Sequence, residues 1–179
     1  MEIREATAAD IGSIARIHVA CWQTAYRGIL PDATLDGLRV EQREGLWRGW
    51  MAGTDVHTLV AVSEGRTAGF TRLCSARLIE NPPADAAEVT HLYVDPAVQA
   101  RGAGRALLER ALRIARSSGY RTLVLWVLEE NRSARRFYER FGLSPDGARH
   151  TDPGYLGNEA VELRYGVALP DGLTRTASS

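Results

Sequence analysis

Ile11, Ile14, Ala15, His18, Cys21 and Trp22 recur at three- and four-residue steps, the period of one helix face, and Thr7 or Asp10 can start that helix. Met1 to Ala6 reads as a strand before it, and Gly28-Ile29-Leu30-Pro31 breaks it. A second helical region follows from about Leu35 to Met51, with Leu46, Trp47, Trp50 and Met51 on one side and Ala52-Gly53 as its stop. Thr58 to Val62 and Ala68 to Leu73 then read as strands, joined at Glu64-Gly65-Arg66 as a hairpin. Ala76 to Ala87, with Asn81-Pro82-Pro83, cannot continue a ladder and reads as a loop.

Glu88 to Val94 is a fourth strand, followed by a glycine-rich loop and a helix that carries Ala106, Leu107, Ala111, Ile114 and Ala115 inward until Ser118-Gly119. Leu123 to Leu128 is unbroken apolar, as in a strand covered on both faces. Asn131 to Phe141 is a short helix closed by Gly142, and after a looser segment the last strand spans Ala160 to Leu169. The pattern predicts one α/β (α+β) domain over residues 1–169 and a disordered polar tail over 170–179.

A chain of 179 residues suits a single domain, which buries roughly 70% of its unfolded surface. Lys+Arg and Asp+Glu balance at 22 each, so no global field recruits nucleic acid or an anionic membrane. Cys21 and Cys74 are too few for a disulfide framework and form no metal pair by spacing. The charged start MEIREATAAD has no signal-peptide character, and no apolar run approaches the ~18 residues that cross a bilayer. These features predict a cytoplasmic protein that binds no metal, nucleic acid or membrane.

The first candidate for chemistry is Gln99-Ala100-Arg101-Gly102-Ala103-Gly104-Arg105. Glycines permit a tight turn and close approach of a ligand to the backbone. The first turn of the following helix leaves N–H groups without intrahelical partners, and its dipole adds partial positive charge. Together these make a cradle for phosphate oxygens, with Arg101 and Arg105 as added charge. The loop has neither the Gly-Lys-Ser/Thr ending of a P-loop nor GxGxxG, which disfavours a magnesium nucleotide or a dinucleotide. On these residues alone, a ligand-free strand-to-helix turn remains open. The second candidate is Asn131-Arg132-Ser133-Ala134-Arg135-Arg136-Phe137-Tyr138-Glu139-Arg140-Phe141-Gly142-Leu143, where Asn131 can cap a helix and Ala134, Tyr138 and Phe141 share a face. A plain cap and a core aromatic would also explain them.

The order strand, (Q/R)-x-x-G-x-(G/A), helix, strand, then N-x-x-A-x-x-F-Y-x-x-x-G-(F/L), resembles the GNAT superfamily of acyl-CoA-dependent N-acyltransferases from about Glu88 to Leu143. The resemblance implies a mixed central sheet of six or seven strands, splayed into a V between the strand ending at Val94 and the one starting at Arg121, flanked by about four helices. It implies acetyl-CoA as cosubstrate, with its pyrophosphate on backbone N–H groups of Gln99, Ala100, Arg101, Gly102, Ala103, Gly104 and Arg105. The pantetheine arm would pair with main chain at Leu92, Tyr93 and Val94, where relatives carry a β-bulge, and an N–H of Leu92 or Tyr93 would face the acetyl carbonyl. Asn131 matches a residue that contacts the cofactor arm. Tyr138 matches the tyrosine that serves the departing thiolate. A phenol of pKa ~10 is a weaker acid than a thiol of ~8.5, so that service is mainly a hydrogen bond.

The acceptor amine needs more help, because freeing a lysine-like ammonium of pKa ~10.4 at pH 7 costs about 4.6 kcal/mol. Glu88, eleven residues before Gln99, matches the position at which some members carry their basic glutamate. Two-residue alternation puts Glu88, Thr90, Leu92 and Val94 on one side before any bulge, and His91 on the other. An exposed strand-start carboxylate is the plain alternative for Glu88. Other members carry a glutamate where Trp126 stands here, which argues against protein N-terminal acetylation. Trp22, Tyr26, Trp47 and Trp50 are candidate walls of the acceptor site, Trp22 and Tyr26 foremost, with His150 and Tyr155 opposite. Glu80, Asp85, Glu129 and Glu130 could attract a cationic amine. Arg132, Arg135, Arg136 and Arg140 are either a solvated helix face or partners of the 3′-phosphate of CoA. The implied activity is acetyl transfer from acetyl-CoA to a primary amine of a small molecule or peptide by direct attack, with a homodimer left open. A CoA-binding regulatory module without chemistry and a transferase of longer acyl chains are the alternatives.

Overall fold

The chain runs through β1 (Glu2–Glu5), α1 (Ile11–Ala25), α2 (Asp32–Asp36), α3 (Val40–Met51), β2 (Val56–Ser63), β3 (Arg66–Ser75), β4 (Ala86–Val94), α4 (Ala103–Ser117), β5 (Thr122–Leu128), α5 (Arg132–Glu139), β6 (Ser144–Thr151) and β7 (Val161–Ala168). This computed structural model describes residues 1–76, 82–98, 102–151 and 160–170. The strands form one seven-stranded mixed sheet in the order β1-β2-β3-β4-β5-β7-β6. The β2–β3 turn places Glu64 at φ 53° and Gly65 at φ 73°, the paired left-handed residues that suit a two-residue hairpin.

One face of the sheet is covered by α4 and α5, where Leu107, Leu108, Ala111 and Ala115 pack on Leu59, Leu73, Val89, Leu123 and Leu125. The other face is covered by α1 and α3, where Ile14, Ile17, Cys21 and Trp47 pack on Val60 and Phe70. The helical period of α1 is therefore legible in what it buries. Leu46, in contrast, is 44% exposed and points away from the side its neighbours Trp47 and Trp50 share.

Two stretches depart from the pattern read off the chain. The helical region predicted from Leu35 to Met51 is divided, because Gly37 ends α2 and Arg39 adopts an extended backbone at φ −124° and ψ 134°. The break returns Leu38 to the cluster of Trp22, Leu30 and Leu35. The looser segment after α5 is in part a strand: β6, SPDGARHT, pairs with β7 at the edge of the sheet. It is almost wholly exposed and carries Pro145 and Gly147, so it has no alternating apolar signal, and an edge tolerates both residues.

A single irregularity in β4 positions the site. Arg72 of β3 pairs with His91 and Leu73 pairs with Val89, so Thr90 is an extra residue, a β-bulge. Cross-strand partners share a face, hence Glu88 opposite Cys74, His91 opposite Arg72 and Tyr93 opposite Phe70 all lie on the α1–α3 face. Val89, Leu92 and Val94 turn toward α4. This corrects the simple alternation: His91 sits on the same face as Glu88, while Leu92 and Val94 lie on the opposite one, because the bulge advances the phase by one residue. The buried Thr71 hydroxyl donates to the His91 carbonyl at 2.8 Å and pins the bulge.

Candidate active site

Parallel pairing of β4 with β5 is limited to Ala86–Thr122, Ala87–Leu123 and Glu88–Val124. Beyond it each strand keeps only its outer neighbour: β4 stays on β3 as far as Val94, and β5 stays on β7 as far as Leu128. The sheet therefore parts, and the inner edge of β4 from Val89 to Val94 lies along the opening. Leu92, Tyr93 and Val94 thus stand where the motif reading places them relative to the V.

At the far end of β4, the chain turns through Asp95 and Pro96–Val98 into α4. Gly102 caps this helix at φ 84°, a left-handed conformation that other residues adopt at a cost of roughly 1–2 kcal/mol. The first bond inside the helix runs from the Ala106 N–H to the Gly102 carbonyl, which leaves the amides of Ala103, Gly104 and Arg105 outside the helical ladder. A Cβ on Gly104 would stand 3.3 Å from Val94 Cγ2 and 3.6 Å from Phe137, so glycine there lets the helix start close on β4. A Cβ on Gly102 would meet nothing within 4 Å, and the outer side of the turn is open. The residues present fit a phosphate-bearing cosubstrate such as acetyl-CoA. Arg105 bonds Glu109 at 2.9 Å and lies over the Phe141 ring. Gln99, Ala100 and Arg101, the first half of the predicted cradle, lie outside the described residues, as do Glu80 and Tyr155.

Glu88 stands at the floor of the V, where the pairing stops, and is 8% exposed. Burial raises its carboxyl to about 7, with the Arg72 charge working against that shift and Glu162 adding to it. A carboxyl poised near neutrality can take a proton and pass it on at physiological pH. The residues above it are neutral: burial pushes His91 down to about 3, helped by the nearby Arg72 and Arg43 charges, and pushes His18 down to about 2. His18 Nδ1 accepts from Trp47 Nε1 at 3.2 Å, and His91 Nδ1 lies 2.9 Å from the Thr90 hydroxyl. Both histidines pack within one aromatic cluster, their ring centroids 5.3 Å apart.

That cluster forms the α1–α3 wall. The His18 ring stacks on Tyr93 at 5.2 Å, and Trp50 lies 5.2 Å from His91. Trp22 Nε1 donates to the Tyr93 hydroxyl at 2.8 Å, and the hydroxyls of Tyr26 and Tyr93 are 3.3 Å apart. Trp22 and Tyr26 are thus brought to β4, Tyr26 half-buried and Trp22 buried, while Trp47 lies fully buried behind them. On the opposite side, Trp126 packs against His150 at 5.8 Å and under Arg164.

The short helix α5 presents Tyr138 toward the core, 9% exposed, with burial raising its phenol well above the usual value. Asn131 caps this helix, its Oδ1 accepting from the Ala134 N–H at 3.1 Å. Arg135 is committed to structure, bonding the Tyr165 hydroxyl and the Glu129 carbonyl, while Arg132, Arg136 and Arg140 are exposed. Among the described residues there is no group of three or more His, Cys, Asp or Glu side chains able to hold a metal, and no helix long and apolar enough to cross a membrane. A cavity of about 740 Å³ opens between α1, the β2–β3 turn, Asp95–Val98 and Ala103 at the start of α4, with neither Glu88 nor Tyr138 in its lining.

Two residues of the site escape the sequence pattern. Arg72 lies on β3, beside β4, and Glu162 on β7, beyond β5, and both act on the Glu88 carboxyl. Neither belongs to a motif. The pairing of Cys74 with Glu88, two residues along β3, is what reveals Arg72.

The model of the acetyltransferase (GNAT) family matches residues 17–143, from α1 to the end of the second motif. The chain is 32% identical over 170 residues to YuaI, an uncharacterized N-acetyltransferase of Bacillus subtilis, covering 94% of this chain and 92% of that one. The PaiA N-acetyltransferase of Thermoplasma acidophilum, in complex with coenzyme A, has a similar fold: TM-score 0.70 and 21% identity over 91% of this chain and 96% of that one. YncA of Salmonella typhimurium, solved with acetyl-CoA, superposes with TM-score 0.71 and 22% identity over 99% of both chains. With the split sheet, the glycine turn and the matched segment in agreement, the chain belongs to the GNAT family and is an acetyl-CoA-dependent N-acetyltransferase.

Proposed function

We propose that the protein acetylates a primary amine by direct attack, with Glu88 as the base and Tyr138 as the hydrogen-bond donor to the leaving sulfur. The observation that carries this reading is the place of Glu88: a carboxyl held near pKa 7 at the point where β4 and β5 part. Acetyl-CoA, when bound, supplies the acetyl thioester. The free amides of Ala103, Gly104 and Arg105 hold its phosphates, with residues 99–101 completing the loop, and the inner edge at Leu92, Tyr93 and Val94 pairs with its arm. Asn131, beyond its cap, borders the arm. Glu88 takes the proton of an ammonium that enters from the α1–α3 side, where Trp22 and Tyr26 guide it. Tyr138 stays protonated because its phenol is raised by burial, and it steadies charge on sulfur without full proton transfer.

A regulatory module that only binds CoA would need neither a poised carboxyl at the split nor a buried phenol on α5. Calorimetric titration with acetyl-CoA, followed by free-thiol detection with a panel of amines, tests the proposal. Binding with amine-dependent thiol release is the expected result. Binding without release from any amine transfers the weight to the regulatory module, and no binding overturns the cradle.

A further inference from the structure

Arg72 forms no ion pair among the described residues. Its Nη1 donates to the Thr90 hydroxyl at 3.1 Å and to Cys74 Sγ at 3.6 Å. Its Nε is buried and has no hydrogen-bond partner, and among the described residues no carboxylate lies within 4 Å of the guanidinium. Arg4, Arg27, Arg48, Arg105, Arg149 and Arg164 all hold such a carboxylate. Keeping a partly buried donor unsatisfied costs about 1–3 kcal/mol, and such groups are uncommon outside sites that use them.

The position of this charge gives it a use. Arg72 faces His91 and its strand neighbour Cys74 faces Glu88, so the guanidinium and the proposed base share one face, side by side at the parting of the sheet. Residues two apart on a strand are ~7 Å apart, and both side chains are long enough to converge on one small ligand. Of the other titratable groups on this face, His18 and His91 are neutral at pH 7, and Cys74 is a thiol pushed up by burial. Glu162 and Arg43 are the remaining charges that act there. Beside this pair of handles stands the wall of Trp22, Tyr26 and Trp50, rich in apolar area.

We infer that the acceptor is a free amino acid with an apolar side chain, its amine directed to Glu88 and its carboxylate held by Arg72. The inference rests on the proposed amine acetylation at Glu88 and names the substrate class of that site. Planar, multidentate recognition of a carboxylate is what a guanidinium does and an ammonium does poorly. An unpaired carboxylate handle also discriminates strongly, since an acceptor without the anion leaves the guanidinium unsatisfied.

The test measures thiol release from acetyl-CoA with L-leucine, L-methionine and L-phenylalanine, each beside its carboxamide and beside a linear diamine. The amide's amine is the less basic of the two, so chemistry alone favours the amide. The expected kcat/KM for the acids exceeds that for the amides by about 10- to 100-fold in the wild type, the value of a charge-assisted bond. In Arg72→Gln the ratio falls to within about threefold, while acetyl-CoA affinity measured by calorimetry is unchanged. Arg72→Lys gives an intermediate ratio, and it preserves the measurement if the glutamine variant fails to fold. A role of Arg72 confined to tethering the bulge through Thr90 would lower both rates and leave the ratio alone, which overturns the inference. Amides or diamines used as well as the acids also overturn it, with amine acetylation itself left standing. Thiol release from no amine at all removes the parent reading and this one with it.

Discussion

The indole of Trp22 on α1 donates a 2.8 Å hydrogen bond to the phenol of Tyr93 on β4, and that phenol also lies 3.3 Å from the hydroxyl of Tyr26. The contact couples the acceptor wall to the strand along which the cosubstrate arm is proposed to lie. Trp22→Phe keeps the ring and deletes the donor. The amine KM is expected to rise about 3- to 10-fold, the value of one hydrogen bond, with acetyl-CoA affinity unchanged. Steady-state kinetics at saturating acetyl-CoA read the first quantity and calorimetry the second.

Glu88→Gln tests the base and carries a stability signature of opposite sense. The folded carboxyl lies at about 7, above its ordinary 4.5, so the native state holds more protons than the unfolded one between those values. Stability from this group is therefore present below pH 4.5, declines as pH rises toward 7, and stays lost above it. The glutamine variant is expected to melt higher than wild type at pH 8, by about 1–3 kcal/mol, and to match it near pH 4. Wild-type kcat/KM should rise with pH through about 7, and the variant should be slower and lack that inflection. An unchanged pH profile removes Glu88 from the role of base.

Tyr138→Phe separates hydrogen bonding from acid catalysis. With a phenol raised by burial and a sulfur leaving group that tolerates charge, kcat is expected to fall about 10- to 100-fold, the lower end of what a positioned proton donor contributes. Acetyl-CoA affinity should be nearly unaffected. Complete loss of turnover would assign the phenol full proton transfer.

Gly102→Val addresses the cradle. The residue sits at φ 84°, so the β-branched side chain strains the turn and projects into the open space outside the helix start. Acetyl-CoA binding by calorimetry is expected to disappear, with the far-ultraviolet circular dichroism spectrum retained. Wild-type affinity would refute the cradle.

The glycine turn, the cap at Asn131 and the buried face of α5 were legible because each follows from a local rule: a left-handed cap, a side-chain acceptor at a helix start, a period of three to four. The helix α1 and the hairpin at Glu64-Gly65 were legible for the same reason. Three features were not. The strand β6 is written almost entirely in exposed polar residues and owes its conformation to pairing with β7, a tertiary cause. The division of α2 from α3 depends on Leu38 reaching the Trp22 cluster, which no window of sequence contains. A bulge in β4 was implied by the resemblance, but not its place at Thr90, which moved His91 from one face to the other and set it opposite Arg72.

Because a pleated strand repeats every two residues, the extra residue in β4 works as a parity switch: every side chain after it serves a different layer from the one its sequence position would assign. Exchanging Thr90 for another residue leaves the parity intact. Ironing the bulge out with Thr90 kept in the ladder would send His91 and Tyr93 under α4 and deliver Leu92 and Val94 to the acceptor wall, whereas deleting Thr90 would keep every layer and lose only the bulge. For this enzyme, the layering of β4 thus depends on its extra residue staying out of the ladder rather than on which residue that is.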